Sequence, residues 1–475
     1  MSDSPAIPLP PLTRVAVIGG GGPSGLVAVK QLLDAGVRPD QIAAFDDRPA
    51  AGGVWNYVAD PGTPDIAWRE NGMAVLRSER EKAHPGALGP GDSMAYRGAE
   101  FPESNPLFPH HPQVKEYLQA YSREKGVIQW NTLVMSVKHN PSSTGPADHW
   151  AVEVEHDGKR RTEYVSHVIV SNGHYNEPFV PSVPGLDTFK GTLIHSRWWR
   201  NAAQFRGKNV IVVGSRASGF DIARELAQDD YNAREAGHPN PERKIYQSVR
   251  GVVDKPEWDT DFPWSGEITV VSQIVKCDGD TFELMDGKKI SAEVVVYATG
   301  YLYSYPFFDG APFTKHPVTK SLAPAEEGIP AAGGQTIMNL TPDDVFYAPD
   351  PTLAFIGLRE YHIPQSSEEY DELTADYMVN PLLLGETTAH LIAWAFTHNE
   401  VPPLPPLIRM TDSPHDIKVG FPAEFDNQDN WLKAIGEEAN SQGGDHPDHG
   451  WPRISDRTRQ LREDALKLRR EHLGY

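Results

Sequence analysis

One stretch constrains the fold of this 475-residue chain more than any other: Val15-Ala-Val-Ile-Gly-Gly-Gly-Gly-Pro-Ser-Gly-Leu26. Four β-prone residues lead into a turn almost without side chains, and a helical stretch follows, with Leu26, Val29 and Leu33 on one face. Gly20, Gly22 and Gly25 satisfy G-x-G-x-x-G between a strand and a helix. In that motif the first glycine permits the tight turn, the second lets backbone approach a pyrophosphate, and the third packs helix on strand. Amides at the helix start then hold phosphate charge. A strand over Ile42–Phe45 ends at Asp46, placed to accept from ribose hydroxyls. The pattern is that of a dinucleotide-binding unit, with Gly19 as an extra glycine that lets the turn slip by one residue.

A second unit of the same kind begins at Asn209. Val210–Val213 reads as the strand, Gly214-Ser-Arg-Ala-Ser-Gly219 as the turn and 220–227 as the helix. Arg216 stands where the middle glycine is expected. The next strand, Ile245-Tyr-Gln247, ends at Ser248 with Arg250 just beyond, a cation suited to a 2′-phosphate and hence to NADP(H). Two nucleotide units in one chain imply electron transfer between two bound cofactors, and flavin is the natural partner of a nicotinamide. Cys277 is the only cysteine, so a disulfide or iron–sulfur acceptor is excluded and oxygen or an external acceptor remains.

The net charge of −21 argues against nucleic-acid partners and anionic membrane surfaces. No stretch reaches the roughly twenty apolar residues a bilayer span needs. The proline-rich start, residues 1–13, reads as a loose tail, and the expected location is cytoplasmic. His110 and His111 are vicinal but lack a third ligand at useful spacing, so no metal site is expected.

The chain between the units is also legible. A long irregular excursion is expected over 60–103 and a helix over 112–125. A hairpin runs from Trp150 to Val165 about Asp157-Gly158, and a buried strand covers Val168–Val170. Pro178, Pro181 and Pro184 punctuate a crossing between domains. A second hairpin turns at Asp286-Gly287. Val294–Gly300 is expected to return the chain to the first sheet, Asp350–Gly357 to add a core strand, and Leu461, Ala465 and Leu468 to face the core from one last helix.

Between the two units stands Phe189-Lys-Gly191-Thr-Leu-Ile-His195-Ser-Arg-Trp-Trp199. It resembles the F-x-G-x-x-x-H-x-x-x-aromatic fingerprint of flavin-containing monooxygenases. The likeness runs from Arg14 to about Pro364. It takes in Gly52-Gly-Val-Trp-Asn-Tyr57, Phe108-Pro-His-His111, Ser171-Asn-Gly-His-Tyr175, Ala298-Thr-Gly-Tyr-Leu-Tyr303 and Tyr347–Gly357, and leans toward yeast and fungal members. The resemblance implies an α/β fold with two Rossmann-like domains. The NADPH-binding domain (180–296) would be inserted into the FAD-binding domain (14–179 and 297–475).

The family chemistry implied is reduction of FAD by NADPH, addition of O2 to give a C4a-hydroperoxyflavin, and transfer of one oxygen to an amine nitrogen or sulfur of a small molecule. Candidate cofactor contacts at the first turn are Gly20, Gly22, Pro23, Ser24 and Gly25, with Asp46 and Arg48 beside it. Gly53, Val54, Trp55, His110, His111, Val137 and Asn172 join them. At the second unit they are Gly214, Ser215, Arg216, Ser218, Ser248 and Arg250, with Thr299 and Gly300 at the return. Candidate catalytic residues are His195 and Asn71. Asn71 is put forward because the family's usual active-site Asn has no counterpart in Ala87–Tyr96. Arg200, following Trp199, leans away from Baeyer–Villiger chemistry toward heteroatom oxidation. An NADPH oxidase or quinone reductase uses the same cofactors, a cofactor-binding protein without activity is a further alternative, and an active site closed by loops is compatible with a homodimer.

Overall fold

The computed structural model describes residues 5–69, 73–77, 94–122, 126–215, 217–237, 243–253, 262–308, 317–321, 334–358, 381–405, 421–436 and 454–473. Two five-stranded parallel sheets dominate it. In the first the strands run Leu353–Phe355, His167–Val170, Val15–Ile18, Ile42–Phe45, Ile128–Gln129. In the second they run Thr192–His195, Val294–Tyr297, Val210–Val213, Ile245–Ser248, Ile268–Val271. Each glycine turn therefore follows the central strand of its own sheet. Val15–Ile18 and Val294–Tyr297 are buried along their whole length, as strands covered on both faces must be.

The first sheet is a filling between two layers. Helix Pro23–Asp34 and helix Pro381–His398 cover one face, burying Leu26, Val29, Ile392 and Phe396. An antiparallel meander of Thr132–His139, Trp150–His156 and Lys159–Val165 covers the other, setting Val134, Trp150, Val152 and Val154 against Ile18 and Phe45. Helix Ala217–Glu235 packs Ile222, Ala223, Leu226 and Ala227 into the core of the second sheet.

Several expectations are revised. Val294–Tyr297 does not return to the first sheet; it lies between Thr192–His195 and Val210–Val213 in the second. Four successive β-formers favour an interior strand with neighbours on both edges, and this slot of the second sheet supplies them. The return is made just after it, where Tyr301–Leu302 pairs antiparallel with Glu177–Pro178. The N-terminal segment is not wholly loose, since Ile7–Pro8 pairs with Glu400–Val401 and Leu9 N donates to Asn399 O at 2.7 Å. Proline is tolerated there because the strand is a sheet edge.

The excursion expected over 60–103 contains a hairpin of Asp65–Trp68 and Ala74–Arg77. The helix after His110 spans His111–Tyr121, and the one after the second turn is longer than expected. The last helix is two, Asp456–Glu463 and Ala465–Leu473. Among the described residues no helix is long and apolar enough to cross a membrane.

Candidate active site

The first glycine turn divides its tasks over more residues than the motif names. The left-handed turn falls at Gly19 (φ +79), one residue before the expected Gly20. Gly19 and Gly20 both donate to Phe45 O, at 2.9 and 2.8 Å. A side chain on Gly19 would meet Asn172 Cα at 2.6 Å. Gly21, a free position in the motif, is pressed against the Trp130 ring and Asp46 Cγ, the latter 2.9 Å from where a Cβ would be. Gly25 fills the third role, lying against the backbone of Gly19 and Gly20.

Gly22 is the least crowded glycine of the turn, its nearest neighbour Gly19 O at 3.7 Å from where a Cβ would be. It is the N-cap of helix Pro23–Asp34 and has no side-chain cap. Ser24 Oγ lies beside Gly357 and Gly385, and Pro23 O accepts from Tyr96 Oη at 3.1 Å. A bare glycine cradle opening onto uncapped helix amides fits a pyrophosphate. The residues present therefore suit a dinucleotide here.

Asp46 sits where expected but is almost enclosed. Its Oδ2 accepts from Gly21 N at 2.8 Å and its Oδ1 from Arg48 N at 3.0 Å. Burial pushes its carboxyl up to about 6, against the lowering effect of those two amides. Because the folded value lies above the unfolded one, protonation favours the fold, and that contribution is lost as pH rises through about 6. On the order of 3 kcal/mol is involved. Asp46→Asn should therefore raise the melting temperature of flavin-free protein more at pH 8 than at pH 4. A pH series of thermal melts checks this, and equal effects at both ends would refute it.

Gly53 packs on Gly22 Cα, so the Gly53–Trp55 turn closes over the first glycine loop, with Trp55 buried and Val54 partly exposed. Asn172 is tied to the return segment by Nδ2 donating to Ser304 O at 3.0 Å. His110 is exposed and its N–H donates to Gln113 Oε1. The His111 ring lies 4.5 Å from that of Tyr57. Val137 is a core residue of the meander.

At the second turn, Gly214 (φ +119) donates to Ser248 O, and a side chain there would meet Ala298 O at 2.5 Å. Gly219 packs against Gly214. Ser215 is exposed, Ser218 lies in the first turn of the helix, and the Ser248 hydroxyl donates to Ser272 O at 3.1 Å. Arg250 is exposed two residues beyond the Ile245–Ser248 strand. Arg216 and Asn71 lie outside the described residues.

The two turns are joined at the paired crossing. His195 ends its strand fully buried, its Nδ1 accepting from Arg197 N and its ring edge-on to Tyr301 at 4.9 Å. Thr299 Oγ1 donates to Phe179 O, and Gly300 (φ +83) is open on its Cα side. Arg200 is the residue that sequence reasoning undervalued. Buried, it donates to Val58 O at 2.8 Å, to Trp199 O at 2.6 Å and to Arg197 O at 3.1 Å. Its guanidinium also stacks over Tyr57 at 5.2 Å. It thereby fastens the Gly52–Tyr57 loop of the first unit to the fingerprint of the second. Its place next to Trp199 was the available signal.

Two parallel sheets, each with a glycine turn at its central strand and sharing one crossing, define a double dinucleotide-binding architecture. Residues 12–233 match the flavin-binding monooxygenase-like family. Flavin-containing monooxygenase FMO GS-OX3 of Arabidopsis thaliana is 30% identical over 351 residues, covering 67% of this chain and 70% of the relative. Flavin-containing monooxygenase 5 of Rattus norvegicus is 35% identical over 225 residues, 45% of this chain and 38% of that protein. The chain thus spans well under half the length of the rat relative. The solved S-allyl-L-cysteine S-oxygenase of Allium sativum shares the fold, with a TM-score of 0.66 at 21% identity, covering 98% of this chain and 95% of the other. This chain belongs to the flavin-containing monooxygenase family. FAD and NADPH are the cofactors of that family. These relatives are plant and animal proteins, so the expected leaning toward yeast and fungal members is not borne out.

Proposed function

We propose that the chain is an FAD- and NADPH-dependent monooxygenase that transfers one atom of O2 to an amine nitrogen or a sulfur of a small molecule. The observation that carries this reading is the pair of glycine turns linked through the crossing that holds His195, Thr299 and Gly300. The first unit, 14–179 with 298–475, would hold FAD on Gly22, Ser24 and Gly25, with Asp46 toward the ribose. The inserted unit, 180–296 and extended to Tyr297 by its last strand, would hold NADPH at Gly214, Ser218 and Arg250. Bound FAD supplies hydride acceptance and oxygen activation, and NADPH supplies the hydride. The chain's own residues position and enclose. Arg200 locks the first loop to the fingerprint, Trp55 and Tyr57 shield the flavin side from water, and His195 fixes Tyr301 at the junction.

Labelled oxygen tests the reading. With 18O2, NADPH and a panel of amines and sulfides, one labelled atom should enter the product per NADPH consumed. Release of every NADPH equivalent as hydrogen peroxide, whatever the substrate, would establish an oxidase instead. Arg250→Ala should raise the KM for NADPH by about 10-fold or more while leaving that for NADH nearly unchanged, because only NADPH carries the 2′-phosphate. An unaltered KM for NADPH would overturn the assignment of Arg250.

A further inference from the structure

Far from the glycine turns, three side chains converge that no step above uses. His139 ends one strand of the meander, His149 precedes the next, and Asp350 lies just before the edge strand Leu353–Phe355. His139 Nε2 lies 2.9 Å from Asp350 Oδ2, and His149 Nε2 lies 2.6 Å from the same oxygen. One ligand atom from each residue falls within 4.8 Å of the other two. The arrangement is braced. Asp350 Oδ1 accepts from Thr352 Oγ1 at 2.6 Å, so only Oδ2 is turned to the histidines. Thr352 Oγ1 in turn accepts from Trp150 Nε1 at 2.9 Å.

The Trp150 ring backs His139 at 4.4 Å and His149 at 5.4 Å, and Asn140 N donates to His149 O across the base of the loop. Hydrogen bonds from outside a ligand set orient the ligands at metal sites, and the Thr352 hydroxyl supplies one to Asp350. The histidine side chains are 36% and 35% exposed, enough for an ion to enter and keep water ligands.

We propose that His139, His149 and Asp350 bind one divalent ion of the zinc class. Two imidazole nitrogens and one carboxylate oxygen suit such a borderline cation, with water completing the tetrahedron. The chain's negative charge favours cation uptake. The site lies at the N-terminal ends of the parallel strands, opposite the glycine turns, so the ion clamps the meander to the sheet edge and takes no part in oxygen transfer. The ligands come from chain segments about 200 residues apart, so the clamp joins the two layers across the sheet edge.

The test is titration of chelator-treated full-length protein with zinc chloride, followed by calorimetry, and with cobalt(II) chloride, followed by visible absorption. One equivalent should bind, the melting temperature should rise, and cobalt should give the intense bands of a tetrahedral ion. His149→Gln should weaken zinc binding about 10-fold or more, and His398→Ala, a histidine elsewhere on the surface, should leave it unchanged. Binding in the double variant His139→Gln/His149→Gln equal to that of the parent would overturn the proposal. If those variants fail to fold, zinc-edge anomalous scattering from crystals of the parent decides: a peak among the three ligands supports it, and none there overturns it.

Discussion

Gly25→Ala should yield a protein that keeps no flavin and is destabilised by about 3 kcal/mol. The new methyl would lie inside the contact radius of Gly19 O and 2.5 Å from Gly20 Cα. Both are backbone atoms of a turn held by Phe45 O, so neither can swing aside as a side-chain tip would. Relief requires helix Pro23–Asp34 to lift off the sheet, and that would displace the amides proposed to face the phosphates. Gly22→Ala is the informative partner. Its methyl would lie in ordinary contact, 3.7 Å from Gly19 O, so the fold should tolerate it while the close approach of a pyrophosphate is lost. The ratio of flavin to protein absorbance, read beside a thermal melt, separates the cases. Gly25→Ala should lose both, and Gly22→Ala only flavin. A fully yellow Gly25→Ala protein would mean that the third glycine does not set the helix–strand contact.

Glu386→Ala should cost about 3–5 kcal/mol, the penalty for leaving a buried guanidinium without its carboxylate. Arg97 and Glu386 are 6% and 2% exposed and meet at 3.0 Å. Burial pulls the Arg97 guanidinium down and pushes the Glu386 carboxyl up, with their mutual attraction opposing both shifts. The glutamate also accepts from the Arg97 backbone N, while Arg97 reaches Thr387 Oγ1 at 3.0 Å and Gln428 beyond it. The neighbouring Tyr96 hydroxyl donates to Pro23 O, so the network sets the segment that buttresses the start of helix Pro23–Asp34. A denaturant midpoint measures the loss. Arg97→Met/Glu386→Leu should recover most of it, because two apolar side chains replace two desolvated charges. A double variant as unstable as the single one would show that specific hydrogen bonds, rather than the unpaired charge, carry the stability.

Local pattern revealed the nucleotide strands, the meander hairpin and the fingerprint, because runs such as Val15–Ile18 or Val210–Val213 cannot be solvated and glycine clusters leave few alternatives. Features set by distant partners were not legible. Nothing in Val294–Tyr297 says which sheet receives it. The extra glycine, Gly19, is explained only in three dimensions, by its left-handed turn and its close approach to the Asn172 backbone. Arg97 with Glu386, and His139 with Asp350, are separated by 289 and 211 residues, and periodicity carries no information over such spans. Arg200 read as a marker of chemistry, and its burial between loop and fingerprint emerged only in three dimensions.

The paired crossing has a mechanical meaning. Pro178 and Tyr301 are opposite one another in the ladder, and Phe179 N donates to Gly300 O at 3.0 Å. Sliding one strand past the other would break those bonds, at about 1 kcal/mol each, whereas bending or twisting the ribbon keeps them. The two connectors are therefore stiffer to shear than to twist, so a reorientation of the second sheet at this crossing would be a rotation about the ribbon. Tyr301 sits on that ribbon against His195, so such a rotation would turn around the histidine and would not carry it away.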